Sequence, residues 1–392
     1  MFEIELTPTI IAIYSIIAVC FLYLIFGFRH YVASVRKKVM EDNEVNLSDS
    51  PNDYPNVSVI VYSEDDAQNL ELLLPQILEQ DYPAMMEVIV VNDGAIGSTK
   101  DVIARLEQRY SNLYMTFTPM ESRSLSRKKL AVTLGIKAAR YETILLTTGK
   151  CRVSSPIWMK AMMRHFSDGK EVVIGYATPV PTDDAVSQIK RRHSFDTVWT
   201  AIEYLSWAIA GHPYRGNCHN LAYRRSVFFK NKGFSKSLNL KYGDDDVFIN
   251  EVANGHNTAT ELSTASIVEV MEQNPSASYK HDKLRYDYTA KKLKTFARIL
   301  FSSFSWAWWI MIAATVAASL IGLPSYFPMI VSCSLLIVLW VVLMLSWRKT
   351  SVALGSRPLM LTFPWLMCYH PIFNLYYRIK GYFKRSNNLT WG

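Results

Sequence analysis

Charge is scarce in this chain. Only 19% of its 392 residues are Asp, Glu, Lys or Arg, below the roughly 25% usual for soluble domains. Half the residues are apolar, which excludes a disordered or low-complexity polymer, because enough apolar surface exists for a large core. Cysteine is scattered as well as scarce. Cys20, Cys151, Cys218, Cys333 and Cys368 are odd in number and form no Cys-x-x-Cys pair. Neither a disulfide framework nor a zinc site is expected, and a reducing compartment is. Gly and Pro, 16 each, are too ordinary for a collagen-like or linker-dominated chain. No internal repeat is visible, and the length allows two or three folding units.

What the chain does have is long apolar runs at its two ends. Residues 6–28 carry no charge, enough for a helix across about 30 Å of hydrocarbon. A cleaved signal peptide would want a basic leader and a short apolar core. Here the leader carries Glu3 and Glu5, and the core is long. Arg29, Arg36, Lys37 and Lys38 follow, so the positive-inside rule sends the N-terminus out and the chain into the cytoplasm. Residues 1–30 are therefore read as an anchor and 31–55 as a juxtamembrane linker. Residues 299–347 contain no Asp, Glu, Lys or Arg. Their length fits two spans broken at Gly322-Leu323-Pro324-Ser325; a buried soluble hairpin is the alternative. Lys291, Lys292, Lys294 and Arg298 precede this block and Arg348 and Lys349 follow it, so both flanks read as cytoplasmic. Residues 358–377 are also uncharged but hold Pro364, His370, Pro371 and Asn374. Spanning would put Arg378, Lys380, Lys384 and Arg385 outside, so residues 348–392 are expected to form an interfacial amphipathic segment and a basic tail on anionic lipid. These clusters account for most of the net charge of +8, and nothing in it calls for nucleic acid.

Between the runs, strand-like and helix-like patterns alternate. Residues 57–61, 86–91 and 143–147 read as strands; 67–80, 99–110 and 130–140 read as helices. Such alternation predicts a parallel sheet covered by helices on both faces. Ligands of these sheets bind beyond the carboxyl ends of the strands, here residues 62–66, 92–94 and 148–151.

The residues at those strand ends resemble the nucleotide-binding half of a family 2 glycosyltransferase with the GT-A fold. The segments are 57–83, 87–94 and 127–151, with 214–229 and 243–252 resembling the acceptor half. The likeness covers roughly 56–295. It implies an α/β, Rossmann-like nucleotide-diphospho-sugar transferase domain on the cytosolic side, flanked by transmembrane helices. By that resemblance Glu64 and Asp65 line the ribose and base, Asp93 contacts the uracil or ribose, and Lys128 or Lys129 approaches the diphosphate. A carboxylate suits sugar hydroxyls and base N–H groups, and a cation suits phosphate. Helix-terminal acids, an Asn-Asp-Gly turn and a solvated basic face are the respective bland readings. Tyr214-Arg215-Gly216-Asn217-Cys218-His219-Asn220 corresponds to a loop lining the sugars, with Arg215 toward phosphate and Gly216, Asn217 and His219 toward the acceptor. Asp244, Asp245 and Asp246 correspond to the motif whose carboxylate serves as catalytic base in inverting transfer. The pattern fits in more than one register, with Asp245 or Asp244 preferred; a capped helix is the structural alternative. Where relatives carry Gln-x-x-Arg-Trp this chain has none; Lys283 and Arg285 either reach the diphosphate or belong to a basic membrane-facing helix.

One departure matters. The family's Asp-x-Asp, which holds a divalent metal on the diphosphate, is here Thr148-Gly149-Lys150. Magnesium wants at least one or two carboxylates beside phosphate, so no metal ligand is assigned and Mg or Mn stays open only as a family expectation. Either Lys150, beside Thr148, meets the diphosphate directly and transfer is metal-independent, or catalysis is lost and the fold kept as a membrane scaffold or partner subunit. A membrane-bound nucleotidyltransferase is a third reading. The expectation is a membrane-bound inverting enzyme of hexosyltransferase type. It would take a nucleotide sugar, UDP-type by resemblance, to a lipid-linked or glycan acceptor at a bacterial inner membrane.

Overall fold

A computed structural model describes residues 7–47, 53–64, 66–93, 96–119, 126–180, 188–271, 274–323 and 325–387, the side chains of 96 and 383–387 excepted. Its elements in chain order begin with α1 (Pro8–Leu22), a π-helical turn (Tyr23–Phe28) and α2 (Arg29–Glu44). Then come β1 (Val57–Ser63), α3 (Ala67–Leu78), β2 (Met86–Asn92), α4 (Ile96–Glu107), β3 (Leu113–Phe117), α5 (Arg127–Ala138), β4 (Thr143–Thr148) and β5 (Cys151–Arg152). Next are α6 (Trp158–Ser167), β6 (Val172–Ile174), β7 (Ala177–Pro179), α7 (Gln188–Ile209), β8 (Leu221–Arg224) and α8 (Arg225–Lys230). The chain closes with α9 (Asp246–Val252), β9 (Thr258–Thr260), β10 (Val268–Val270), α10 (Pro275–Ala290), α11 (Thr295–Ile321), α12 (Phe327–Ala353) and α13 (Phe363–Asn387).

These elements divide into two units. One comprises residues 37–294 with Leu354–Ser356; the other comprises 1–36, 295–353 and 357–392. In the first, a seven-stranded sheet runs β3-β2-β1-β4-β8-β6-β9. β1 pairs in parallel with β2 on one side and β4 on the other, Val59 facing Val88 and Leu145. Almost every residue of β1, β2 and β4 is buried, the mark of strands covered on both faces. Alternation sorts their side chains. Val57, Val59, Val61, Val88 and Val90 join Leu70, Leu73, Leu74 and Ile77 of α3 and Met159, Met162 and Phe166 of α6 in one core. Ile60 and Val91 point the other way, where a Cβ on Gly135 of α5 would lie 2.7 Å and 3.0 Å from them.

The sheet is not parallel throughout, as the strand–helix alternation led one to expect. β8 runs antiparallel to both β4 and β6. The alternation read from the sequence stops at residue 148, and the later strands are two to four residues long, too short to display a period. A second sheet, β5-β10-β7, pairs β10 in parallel with β7 and antiparallel with β5. β7 is finished by a distant piece of chain. Ser356 Oγ lies 2.8 Å from Thr178 Oγ1 and 3.3 Å from the Tyr176 hydroxyl, and Leu354 beside it is fully buried.

Three helices are long and apolar enough to cross a membrane: Pro8–Glu44, Thr295–Ile321 and Phe327–Ala353. The break expected at 322–325 falls between α11 and α12. Small and aromatic residues let α1 and its π-turn approach α11. A Cβ on Gly27 would sit 2.9 Å from Phe304 Cε1, and the Tyr23 hydroxyl meets Ser303 Oγ at 2.6 Å. α13 holds the 363–377 part of the expected interfacial segment as helix, with Pro371 inside it.

Candidate active site

Parallel pairing brings the carboxyl ends of β1, β2 and β4 to one rim, on either side of the point where strand order reverses. The backbone ties the rim together. Asp93 N–H donates to Ser63 O at 2.8 Å, and Gly149 N–H to Tyr62 O at 2.7 Å. Asp93 is buried at the end of β2. It accepts from the Tyr62 hydroxyl at 3.1 Å and from the Thr118 hydroxyl, and Arg127 lies 2.6 Å from it. Glu64 is exposed, its backbone N–H donating to Asp66 Oδ2 at 3.1 Å. Asp65 lies outside the described residues.

The second half of the site is ionic. Gly243 has φ +103, a left-handed turn in which a Cβ would strike Val247 at 2.7 Å, and it delivers three aspartates to the start of α9. All three are buried. Lys128 Nζ reaches Asp244 Oδ2 at 2.9 Å and Cys218 Sγ at 2.8 Å, and sits 5.6 Å from the Tyr62 ring centre. Tyr62 thereby links the two halves. Arg285 of α10 reaches Asp245 Oδ2 at 3.0 Å; the same oxygen accepts from Cys218 N–H at 3.2 Å, and Oδ1 caps α9 through Asp246 N–H at 2.7 Å. Asp246 accepts from Val247 N–H at 2.8 Å and from the Thr289 hydroxyl.

Their protonation follows. Burial alone would raise the Asp245 carboxyl, but Arg285 and Lys128 overcome it and hold the group far below the carboxylate range. Asp246 is pushed up to about 6 by burial and by the neighbouring Asp245 charge. Burial works against the Lys128 ammonium, yet Asp244 and Asp245 raise its pKa well above the ordinary value. His219 is held down to about 3 by burial and by Lys128 and Arg285, so it is neutral. Its Nδ1 lies 2.8 Å from Thr148 Oγ1.

The structure brings Asp93, Lys128, Thr148, Arg215, Gly216, Asn217, His219, Asp244, Asp245, Asp246 and Arg285 to this rim and the loops around it. Arg215 is buried against the ring of Tyr286, 4.9 Å to its centre, and its Nε has no hydrogen-bond partner. Gly216 packs where a Cβ would meet Ile249 at 2.9 Å, and Asn217 Oδ1 accepts from His219 N–H at 3.2 Å. Two lysines go elsewhere. Lys129 is fully buried and donates to Ser237 O and Leu240 O, holding that loop instead of facing the rim. Lys283 pairs with Asp196 of α7 at 2.7 Å. Lys150 is exposed, and among the described residues no carboxylate lies within ion-pair distance of it. Sequence reasoning placed Tyr62 and Asp66 at the first strand end without giving either a role, and gave none to Cys218, Arg127, Tyr286 or Thr289. Cys218 stood inside the loop singled out, between Asn217 and His219.

A divalent metal is a poor fit to the residues present. Cys218, Asp244 and Asp245 offer ligand atoms within 4.8 Å of one another. The Cys218 thiol, however, is pushed up to about 12 by burial, and a ligand must be thiolate. Lys128 and Arg285 already neutralise the two carboxylates.

Residues 57–232 match the family model described as glycosyl transferase family 2. No protein of curated function matches the chain by sequence. Among solved structures, the mannosyltransferase PcManGT from Pyrobaculum calidifontis, in complex with GDP-Man and Mn2+, aligns with a TM-score of 0.54 at 18% identity, over 92% of this chain and 98% of that one. TarS 1–349 from S. aureus aligns with a TM-score of 0.41 at 13% identity, over 86% of this chain and 93% of that one, too low to carry an argument. The fold is that of GT-A glycosyltransferases, and three helices of the chain are of membrane-crossing length.

Proposed function

We propose that this chain, whose residues 57–232 match the family model described as glycosyl transferase family 2, is a membrane-bound inverting glycosyltransferase. Its donor is a nucleoside-diphosphate sugar and its acceptor a hydroxyl of a membrane-borne lipid or glycan. The observation that carries the reading is the interlocked cluster of Lys128, Arg285 and Asp244–Asp246 at the carboxyl rim of a GT-A sheet. Asp93 and Tyr62 suit the nucleoside, a hydrogen-bonding acid beside an aromatic face. Lys128, Arg215 and Arg285 suit the diphosphate. In the transfer, the acceptor oxygen attacks the anomeric carbon in line, and the bond from that carbon to the phosphate oxygen breaks. The acceptor proton passes to Asp244 or Asp245, and the nucleoside diphosphate leaves carrying the bonding electron pair. Asp246 supports the pair from the first turn of α9. His219, neutral and bonded to Thr148, suits a positioning part toward sugar hydroxyls and not proton transfer.

The test is release of nucleoside diphosphate from UDP- and GDP-sugars by the detergent-purified chain, with and without a membrane lipid extract as acceptor. Asp244→Asn and Asp245→Asn are expected to lower turnover by about a hundredfold or more while nucleotide binding persists. A chain that binds nucleotide but transfers from no donor would support the scaffold reading, which the engagement of Asp244, Asp245 and Asp246 by a cation or a hydrogen bond favours. The basic flanks support a cytosolic catalytic unit. A cysteine at Ser325, between α11 and α12, is then expected to react with an impermeant maleimide in intact bacterial cells, and one at Lys232 only after lysis. The reverse pattern would refute that orientation.

A further inference from the structure

Lys128 approaches the rim from α5, and its ammonium stands where a bound cation would: 2.9 Å from Asp244 Oδ2, 2.8 Å from Cys218 Sγ and 5.6 Å from the centre of the Tyr62 ring. Those two ligand atoms, with Asp245, make the one grouping of potential metal ligands found among the described residues. Arg285 closes the far side through Asp245. At the sheet end where a carboxylate pair would hold the ion, Thr148 is turned to His219 and Cys151, Gly149 packs against Asp66, and Lys150 stands in solvent. A cation in water is screened, whereas one enclosed beside carboxylates and a ring acts through a lower dielectric. Lys128 keeps 24% of its side-chain surface, enough for an anion to reach it.

We infer that the Lys128 ammonium is a built-in replacement for the divalent cation at this site, so that a nucleoside diphosphate is bound here without metal and Lys128, not Lys150, is its principal counter-charge. Arg215, buried with an unpartnered Nε, supplies the second positive group. When the diphosphate arrives it draws Lys128 and Arg285 toward itself and loosens their hold on Asp244 and Asp245, so donor binding and release of the base are one event. Only the identity of the anion rests on the transferase reading; the occupied cation seat does not.

The experiment uses the full chain in detergent, with Mn2+, Co2+, UDP and GDP as probes. Wild-type protein is expected to take up no Mn2+ by electron paramagnetic resonance and to give no thiolate-to-cobalt absorption. Whichever nucleotide binds is expected to keep its affinity within about twofold in EDTA. Lys128→Met empties the seat. Co2+ should then bind with a thiolate absorption band, because a coordinated thiol is deprotonated outright, and the band should vanish in Lys128→Met/Cys218→Ser. Nucleotide affinity should fall about tenfold and become metal-dependent. Lys150→Ala should create no cobalt site. If Lys128→Met does not fold, the wild-type Mn2+ measurement still decides. One Mn2+ bound by wild type and lost in Asp244→Asn overturns the inference. Failure of both nucleotides to bind, with the cobalt result as expected, overturns the transferase reading and leaves the seat standing.

Discussion

At the residue scale, neighbours that are equivalent in the sequence part company in space. Lys128 and Lys129 are one helical step apart on α5, and that step turns one toward Asp244 and the other into the carbonyls of Ser237 and Leu240. Lys283 and Arg285 divide between Asp196 and Asp245 in the same way. The family resemblance put cations near the site; only helix phase shows which ones. The three aspartates are also unequal, and their titration exposes it. The carboxyl of Asp246 rises from 3.8 to about 6 because it is buried beside the Asp245 charge. A raised acid binds its proton more tightly when folded, so its stabilising contribution is complete below about pH 4 and is lost as pH climbs through about 6. Asp246→Asn keeps an oxygen for Val247 N–H and does not titrate. Melting curves from pH 4 to 8 should show the variant gaining on wild type between pH 4 and 6, by on the order of 1–3 kcal/mol, with no further gain above pH 7. Parallel curves would mean that Asp246 is ionised throughout.

At the element scale, α5 is the part whose packing is tightest against the rim-bearing strands. Ala in place of Gly135 should favour the helix by up to about 1 kcal/mol on propensity alone. Its Cβ, though, would lie 2.7 Å from Ile60 and 3.0 Å from Val91, and overpacking costs about 1–3 kcal/mol. Gly135→Ala is therefore expected to lower the unfolding midpoint in denaturant; a rise would show that α5 can move off the sheet. A second junction is electrostatic. Arg164 of α6 joins Asp42 of α2 at 2.6 Å and Glu261, after β9, at 2.6 Å. Arg164→Met leaves Asp42 to Lys38 and Glu261 to His165, so the loss should fall short of the about 3–5 kcal/mol of a wholly unpaired buried charge, measured as a midpoint shift that is smaller in acid as Asp42 takes up a proton. Burial and Glu261 already raise that carboxyl. From β1 to β4 every element except β3 was legible in the sequence to within three residues, because six-to-seven-residue apolar strands and twelve-residue helices carry their periods openly; β3 was not read, its five residues being mostly half-buried. α4 starts at Ile96 where residue 99 was expected, and α5 at Arg127 where 130 was expected. The reversal of β8 was hidden, since strand direction lies in the connection and not in four residues. Half of the site was legible at the strand ends. The rest depended on α10, placed by tertiary packing far along the chain.

At the scale of the whole molecule, the membrane character was the plainest feature of the sequence, because hydrocarbon imposes a length and a charge rule that few soluble helices meet by accident. Three helices satisfy it here. The chain is expected to stay in the membrane fraction through an alkaline carbonate wash and to need detergent for release; appearance in the wash would refute integral insertion.

The short segment Leu354–Ser356 has one more effect. It completes the sheet-bearing unit through Thr178 and Tyr176, yet it is encoded after both long apolar helices of the C-terminal half. During translation the ribosome must deliver α11 and α12 before the hydroxyls at β7 meet their last partner. A fragment halted at Lys294 would be born with an unfinished edge, and maturation of the sheet-bearing unit trails the synthesis of α11 and α12.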